Sequence, residues 1–324
     1  MAWVGRIGMS HTCEALSPYT RPRGEFGPTQ TQEAQKQFAQ RLRGVLARIN
    51  ARIREFVGEK DLFNLQTEAL EVDDPEEVFD FPTSQAKITG FLQWLREQLD
   101  TEFLEVVGPD RNQFILKAYF AGLRNVHRQL GDLGVSFRRP DVDELVGAPI
   151  HRSALQELYT RTYENLVSVR DDVAQAVRDE LVEGFRDGKG PREIARNLTD
   201  RVDSIGKHRS TMIARSEVMN AHSESTLNRV DELNKQADNE ISVGHGEWDA
   251  DMDSPRTCAF CRAINSTRLR VSEMRGTTVQ FRGDVYRLKP PAHPNGRCNI
   301  RIMVGGTIEE PLADRLPEEV TLLT

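Results

Sequence analysis

The sequence lacks the features that mark disulfide-bonded, exported or membrane proteins. It contains four cysteines in 324 residues, too few for a disulfide scaffold in a chain of this length. No apolar run approaches the roughly 18 to 20 residues that span a bilayer. The first residues contain no continuous apolar segment typical of a secretory signal. We therefore expect no membrane association and no export.

Common catalytic motifs are absent as well. The sequence has no GxxxxGKS/T phosphate loop, no GxSxG nucleophile elbow and no HExxH motif. Nor does it contain an internal repeat or a sustained heptad pattern. The sequence therefore predicts that the protein is not an enzyme and has no catalytic residues.

Helical periodicity dominates the first three quarters of the chain. Apolar residues recur at steps of three and four from Phe38 to Phe56, which predicts an amphipathic helix. Further helices are expected, including a short one beginning at Pro191 and a long one beginning near Lys207. The segment TTVQFRGDVYRL alternates around Gly283-Asp284 and predicts a β-hairpin, and NIRIMV predicts another strand.

These patterns predict a mainly α fold, an elongated helical body with a small C-terminal α+β zinc-knuckle module that contains a β-hairpin. The predicted regions are an extended N-terminal arm at 1–32, a helical region at 33–150, a long-helix core at 151–240, a zinc-binding β-containing module at 241–306 and an acidic C-terminal tail at 307–324.

The sharpest chemical signal is two pairs of potential metal ligands. Cys258 and Cys261 form a Cys-x-x-Cys pair, and His293 and Cys298 form a second pair with four intervening residues. Three thiolates and one imidazole are a common structural zinc set, and they leave no open position for catalysis. The hairpin between the pairs is too short to build a hydrophobic core, so a structural Zn²⁺ is expected to replace one.

The basic side chains of the C-terminal part allow two interpretations. The formal net charge of the chain is −7, yet residues 255–304 carry ten basic and two acidic side chains. The first interpretation is contact with DNA phosphates, for which the candidates are Arg268, Arg270 and Arg275. The second is internal pairing with the acidic stretch Asp231–Asp253, which lies close in the chain.

The C-terminal part also carries an ordered set of short motifs. In chain order these are IARSE at 213–217, Trp248, DSPRTC at 253–258 and PPAHPNGRC at 290–298. This order resembles the C-terminal domain of the phage Mu protein F-like minor head proteins, also called phage head morphogenesis proteins, over about residues 185–304. One departure is Gly296, where that family often has a cysteine. The motif residues carried over are Arg215, Glu217, Trp248, Arg256 and Arg297.

Two of these motif residues lie two positions apart on a predicted helix and so point in different directions. We therefore expect Arg215 and Glu217 to contact separate partners in the zinc module. Arg215 would bind a carboxylate or a carbonyl group, and Glu217 would accept from an N–H group.

The resemblance implies a minor capsid or head morphogenesis protein of a tailed virus. It implies association with the portal protein and with the major capsid or scaffold protein, and a part in head assembly and in genome packaging or ejection. The expected place is the virion, in the capsid interior or at the portal vertex, after assembly in the host cytoplasm. Packaged viral DNA would be a non-specific partner. The alternative is a zinc-dependent DNA-binding or DNA-processing protein.

Overall fold

The computed structural model describes residues 29, 31–65, 84–108, 112–135, 138, 140–236, 244–306 and 308–323. The elements in chain order are α1 Gln32–Ile53, α2 Ser84–Val107, α3 Gln113–Asp132, α4 Val142–Gly147, α5 Pro149–Arg186, α6 Pro191–Gln236, β1 His245–Asp249, α7 Ala259–Ala263, β2 Arg268–Arg270, α8 Val271–Gly276, β3 Thr278–Phe281, β4 Asp284–Arg287, β5 Asn299–Met303, α9 Leu312–Arg315 and β6 Val320–Leu322. A π-helical turn, Arg54–Glu59, follows α1.

The predicted fold class, mainly α with a small C-terminal α+β module, is confirmed. Nearly all of the predicted N-terminal arm at 1–32 lies outside the described residues. Within the described part of the chain, no helix is long and apolar enough to cross a bilayer.

The chain divides into two compact units. The helical unit comprises residues 36–112 and 159–213, and the C-terminal unit comprises residues 1–35, 113–158 and 214–324. In the helical unit the apolar stripe of α1 is buried, as its periodicity predicts. Its buried members are Phe38, Leu42, Val45, Leu46, Ile49 and Ile53.

One prediction about the helices is wrong. Pro191 begins a helix as expected, but this helix runs without a break to Gln236 instead of ending before Lys207. Gly206 lies at the predicted break, and a Cβ added to it would lie 2.5 Å from Cδ1 of Leu46. The glycine therefore serves the close packing of α1 on α6 and does not end the helix.

The C-terminal unit contains two three-stranded antiparallel sheets, with strand orders β2-β1-β5 and β4-β3-β6. The predicted hairpin is β3-β4, but its turn is Arg282-Gly283, one position earlier than expected. Both turn residues have positive φ, 53° and 95°, which is typical of two-residue hairpin turns. The last strand, β6, lies in the segment predicted as an acidic tail and pairs with β3.

The apolar side chains of the hairpin belong to a larger core that two helices complete. One buried apolar cluster joins its side chains to helices α3 and α6; members include Val126, Leu130, Leu227, Val230, Trp248, Phe260, Val279 and Phe281. Helix α3 also binds the edge of the first sheet, because Gln129 accepts from the N–H of Ile302 at 2.8 Å and donates to the carbonyl of Ile300 at 3.4 Å. Two helices that are distant in sequence therefore complete the core.

Helices α3 and α6 cross in close contact at Gly122. A Cβ added there would lie 2.0 Å from Oγ of Ser225 and 2.2 Å from the carbonyl oxygen of His222. That carbonyl also accepts hydrogen bonds from Ser225 and Thr226, both at 2.9 Å. Burial lowers the pKa of the His222 ring to about 3, so the ring is neutral. Only a glycine fits this crossing.

We predict that Gly122→Ala destabilises the protein, because the new methyl group must push α3 away from α6. The expected loss in the free energy of unfolding is about 3 kcal/mol, the upper part of the range for overpacking. The matched control is Gly131→Ala in the same helix, where an added Cβ meets nothing within 4 Å. The control should keep or raise stability by up to about 1 kcal/mol. Equal denaturation midpoints for the two variants, measured by circular dichroism, would contradict the close crossing.

Candidate metal centre

Cys258 and Cys261 lie at the start of the short helix α7. Cys258 directly precedes the helix, and its Sγ accepts a hydrogen bond from the N–H of Cys261 at 3.4 Å. The preceding loop is held by Arg262, whose guanidinium donates to the carbonyl oxygens of Thr257 at 3.0 Å and Ser254 at 2.8 Å. The two-residue spacing thus turns both thiols toward one place, as a metal knuckle requires.

His293 completes a three-residue group with these cysteines. Its Nε2 lies 3.2 Å from Sγ of Cys258 and 3.7 Å from Sγ of Cys261. Ligands on one tetrahedral zinc ion lie about 3.5 Å apart when one is sulfur and the other nitrogen. The other ring nitrogen, Nδ1, donates to the carbonyl oxygen of Pro294 at 2.8 Å, which leaves the lone pair of Nε2 for a metal. This group could hold a metal ion.

Cys298, the fourth predicted ligand, is buried beside Cys261. The pKa of Cys261 is raised because its thiol is hydrogen-bonded to Cys298 and because it is buried. The pKa of Cys298 is lowered, first by its hydrogen bond with Cys261 and also by a contact with the indole of Trp248. The three ligand atoms that lie within 4.8 Å of one another belong to Cys258, Cys261 and His293, so ligation by Cys298 stays a prediction.

Aromatic rings line the side of this group. Phe260 stacks on Tyr286 with ring centroids 4.1 Å apart and planes 9° apart. Tyr286 in turn meets the ring of His293 edge-on, at 6.0 Å and 85°. This packing restricts the imidazole to the orientation that faces the two thiols.

The loop between His293 and Cys298 is attached to helix α6. Arg215 donates from Nη1 to Oδ1 of Asn295 at 2.6 Å, and the N–H of Asn295 donates to Oγ of Ser216 at 2.9 Å. The amide carbonyl of Asn295 is thus the partner of Arg215. Two adjacent residues of the IARSE motif therefore fix the loop that carries the second ligand pair.

The remaining motif residues have different environments. Glu217 and Trp248 are each 1% exposed, and the predicted N–H partner of Glu217 stays a prediction. Arg256 is exposed, and its backbone N–H donates to Oγ of Ser254 at 3.3 Å. Arg297 is half-buried and donates to the same oxygen at 3.4 Å. Ser254 therefore links the two loops that carry the ligand pairs.

Arg275, one of the three candidate DNA contacts, lies among acidic side chains of α6. It pairs with Glu224 and with Asp231, both at 2.8 Å, and donates to Oδ1 of Asn228 at 2.7 Å. Lys289 binds Glu224 from the other side at 2.6 Å. Burial alone would raise the pKa of Glu224, but Lys289 and Arg275 outweigh it and lower the pKa below its usual value.

The other two candidate DNA contacts differ from Arg275 and from each other. Arg270 pairs with Glu273 at 2.6 Å and also donates to the carbonyl of Ile308. Arg268 is exposed on β2. Arg275 thus pairs with Asp231 of the acidic stretch, as the second interpretation expects, whereas Arg270 pairs with Glu273, which lies outside that stretch.

Sequence reasoning missed the residues that attach the metal loops and the basic segment to α6. Ser254 and Asn295 lie inside the recognised motifs, so their position beside the ligands was a signal that could have found them. Glu224 had no such signal, because its partners are 51 and 65 positions away in the chain.

The fold and the ligand group together describe a mainly helical protein with a cysteine–histidine group at its C-terminal sheets that could hold a metal ion. Residues 175–301 match the sequence model of the family described as Phage Mu protein F like protein. The match covers the stretch in which the motifs lie and confirms the resemblance seen in them. Neither the curated proteins nor the solved structures contain a match to the chain.

The ligand group predicts about one metal ion per chain. Cys258→Ser should remove that ion, because it takes away one thiolate of the knuckle. Since the sheets share a core with α3 and α6, we expect the variant to keep its sheet signal in circular dichroism while its melting temperature falls. The measurement is elemental analysis of the purified full-length chain.

Cys13→Ser is the control for this experiment, since Cys13 lies outside both the described residues and the predicted ligand set. It should leave the metal content and the melting temperature unchanged. Loss of metal in the Cys13 variant, or full metal content in the Cys258 variant, would contradict the site.

Arg275→Ala should lower the free energy of unfolding by about 1–3 kcal/mol, because it removes one of the two cations at the partly buried carboxylate of Glu224. Arg268→Ala, on an exposed side chain of the same segment, should change it by less than about 0.5 kcal/mol. Urea denaturation of both variants measures the difference. Equal effects would show that Arg275 has no special structural role.

The stability difference between the wild type and Arg275→Ala should depend on pH. The folded-state pKa of Glu224 lies below its ordinary value of 4.5. Its contribution is therefore complete above pH 4.5 and is lost as the pH falls through the folded-state pKa. The stability difference between wild type and Arg275→Ala should be constant near neutral pH and shrink in acid. A difference that persists after protonation would contradict this assignment.

Proposed function

We propose that this chain is a minor capsid protein that takes part in the head assembly of a tailed virus in association with the portal. The observation that carries the proposal is the family match over residues 175–301, the stretch that includes both predicted ligand pairs. In this proposal the protein acts by structure, with no catalytic residues, and is found in the virion. Portal protein and major capsid or scaffold protein are its proposed partners.

The proposed cofactor is a structural Zn²⁺ held by Cys258, Cys261, His293 and Cys298. Three observations support it: the sulfur–nitrogen distances suit one tetrahedral ion, the tautomer of His293 presents Nε2, and Cys298 lies beside Cys261. Four protein ligands would leave no coordination position on the ion for water, which suits a structural role. The ion would tie the loop before α7 to the loop that Asn295 fixes on α6.

The remaining parts of the proposal concern the partners. The helical part, about residues 33–186, is proposed to dock on the portal, with the arm at 1–32 ordering on a neighbouring subunit. Packaging or ejection of the genome would bring the basic C-terminal segment near packaged DNA. The alternative, a zinc-dependent DNA-binding or DNA-processing protein, has less support because Arg275 and Arg270 are paired with carboxylates.

The test is the composition of purified virus particles. The gene is replaced by a tagged copy, and DNA-filled heads are purified and analysed by quantitative mass spectrometry and by reconstruction of the portal vertex without icosahedral symmetry. We expect the chain in few copies per particle, with density at the portal. Removal of residues 1–32 should weaken its incorporation. A chain abundant in the lysate yet absent from heads would overturn the proposal.

A further inference from the structure

A histidine lies on the buried face of the first turns of α5, within the C-terminal unit. Four buried residues at helical spacing form that face: His151, Ala154, Leu155 and Leu158. His151 is 0% exposed and lies between Tyr119 of α3 and Glu232 of α6. Its ring meets the ring of Tyr119 edge-on, with centroids 5.7 Å apart and planes 82° apart. One buried imidazole therefore joins the start of α5 to two other helices.

A chain of hydrogen bonds determines which nitrogen of this imidazole carries the proton. A guanidinium group can only donate, and Arg275 donates to Oδ1 of Asn228 at 2.7 Å. The amide of Asn228 therefore presents its NH₂ group to Oη of Tyr119, at 2.9 Å. Since Oη accepts this bond and lies 2.7 Å from Nδ1 of His151, the hydroxyl proton of Tyr119 is donated to Nδ1. The neutral ring then carries its own proton on Nε2, which lies 3.1 Å from Oε1 of Glu232.

A second proton on this ring would disturb the chain. The titratable and charged groups that face His151 are Tyr119 on α3 and Glu232 and Arg229 on α6. Burial raises the pKa of Tyr119, so the hydroxyl keeps its proton. It could accept from a protonated Nδ1 only by turning that proton away from the ring. A buried hydroxyl that loses its acceptor costs about 1–3 kcal/mol in proteins generally.

The carboxylate of Glu232 compensates little for an added charge, because it already has a cation. Arg229 is 4% exposed and pairs with Oε2 of Glu232 at 3.0 Å. Burial lowers the pKa of His151, Glu232 opposes this effect, and the charge of Arg229 adds to it. The fold therefore holds the imidazole in its neutral form.

We propose that His151 is a pH-sensitive switch in the C-terminal unit: when its imidazole gains a proton, the first turns of α5 are released from α3 and α6. A histidine in water has a pKa of about 6.5. Opening around His151 therefore binds a proton below that pH, and acid favours the open form. The contribution of His151 to stability is complete above about pH 6.5 and is lost as the pH falls from there toward the lower folded-state pKa. The switch depends neither on a bound metal nor on the proposed role in head assembly.

The first arm of the test measures hydrogen exchange in residues 150–158 of the full-length chain between about pH 8 and pH 5 by mass spectrometry. Protection factors, corrected for the intrinsic pH dependence of exchange, report local opening. Below about pH 6.5 the protection of this segment in the wild type should fall by up to about tenfold per pH unit, since one more proton is bound in the open form.

The comparison protein is His151→Asn, which keeps a side-chain acceptor for Tyr119 but does not titrate. Its protection should fall less steeply with acid than that of the wild type. The other buried histidines with lowered pKa values, His222 and His245, are present in both proteins, so the difference between the two pH profiles belongs to His151. The matched control is His208→Asn, which removes an exposed histidine of α6 and should keep the wild-type profile.

The second arm observes the imidazole directly, by nitrogen-15 NMR of histidine-labelled protein. At neutral pH the ring of His151 should carry its proton on Nε2, with Nδ1 as the acceptor. Tyr119→Phe removes the hydroxyl proton that opposes protonation of Nδ1. The ring should therefore titrate at a higher pH in this variant than in the wild type. If His151→Asn fails to fold, this comparison decides.

Three results would overturn the proposal. The first is the same pH profile of protection in the wild type and in His151→Asn. The second is a proton on Nδ1 of His151 at neutral pH. The third is a ring that titrates near its ordinary pKa while residues 150–158 keep their protection, because the proton would then be bound without release of α5.

Discussion

A partly buried carboxylate on α6 governs how the C-terminal module is attached. Partial burial of Glu224 disfavours its charged form, and the positive charges of Lys289 and Arg275 on its two sides stabilise that form again. These cations come from α8 and from the segment after β4, so one acidic group fixes two separate parts of the module on one helix. A cation missing at such a site leaves a partly uncompensated charge, which is costlier than the loss of an exposed ion pair.

The proposed metal ion and the apolar core would stabilise different parts of the same module. Trp248, Phe260 and Phe281 join both sheets to α3 and α6 in one cluster, so the sheets do not rely on an ion. The loop that carries the second ligand pair adds Leu288 and Ala292 to this cluster. Polar contacts from Arg262, Asn295 and Ser254 also hold the ligand loops, and a bound ion would connect the two loops directly.

Much of this arrangement could be predicted from local sequence patterns. The stripe of α1, the start of α6 at Pro191, the hairpin and the ligand pairs all depend on spacings of a few residues. The errors came from long-range contacts. The break predicted before Lys207 does not exist, and Gly206 at that position packs on Leu46, which lies 160 residues earlier in the chain. Likewise β6 looked like a tail, since its partner β3 lies about 40 residues earlier. The partners of Glu224 were invisible for the same reason.

The basic segment shows why a net charge cannot identify a functional surface. Its ten cations are equivalent in a sequence count but not in the fold. Arg275 and Lys289 pair with the partly buried carboxylate of Glu224. Removing either cation should lower the free energy of unfolding. Arg297 donates to the neutral hydroxyl oxygen of Ser254, and Arg268 is exposed on β2. Positive charge that the fold does not pair internally remains available to a partner, and the sequence count alone does not distinguish it from charge that stabilises the fold.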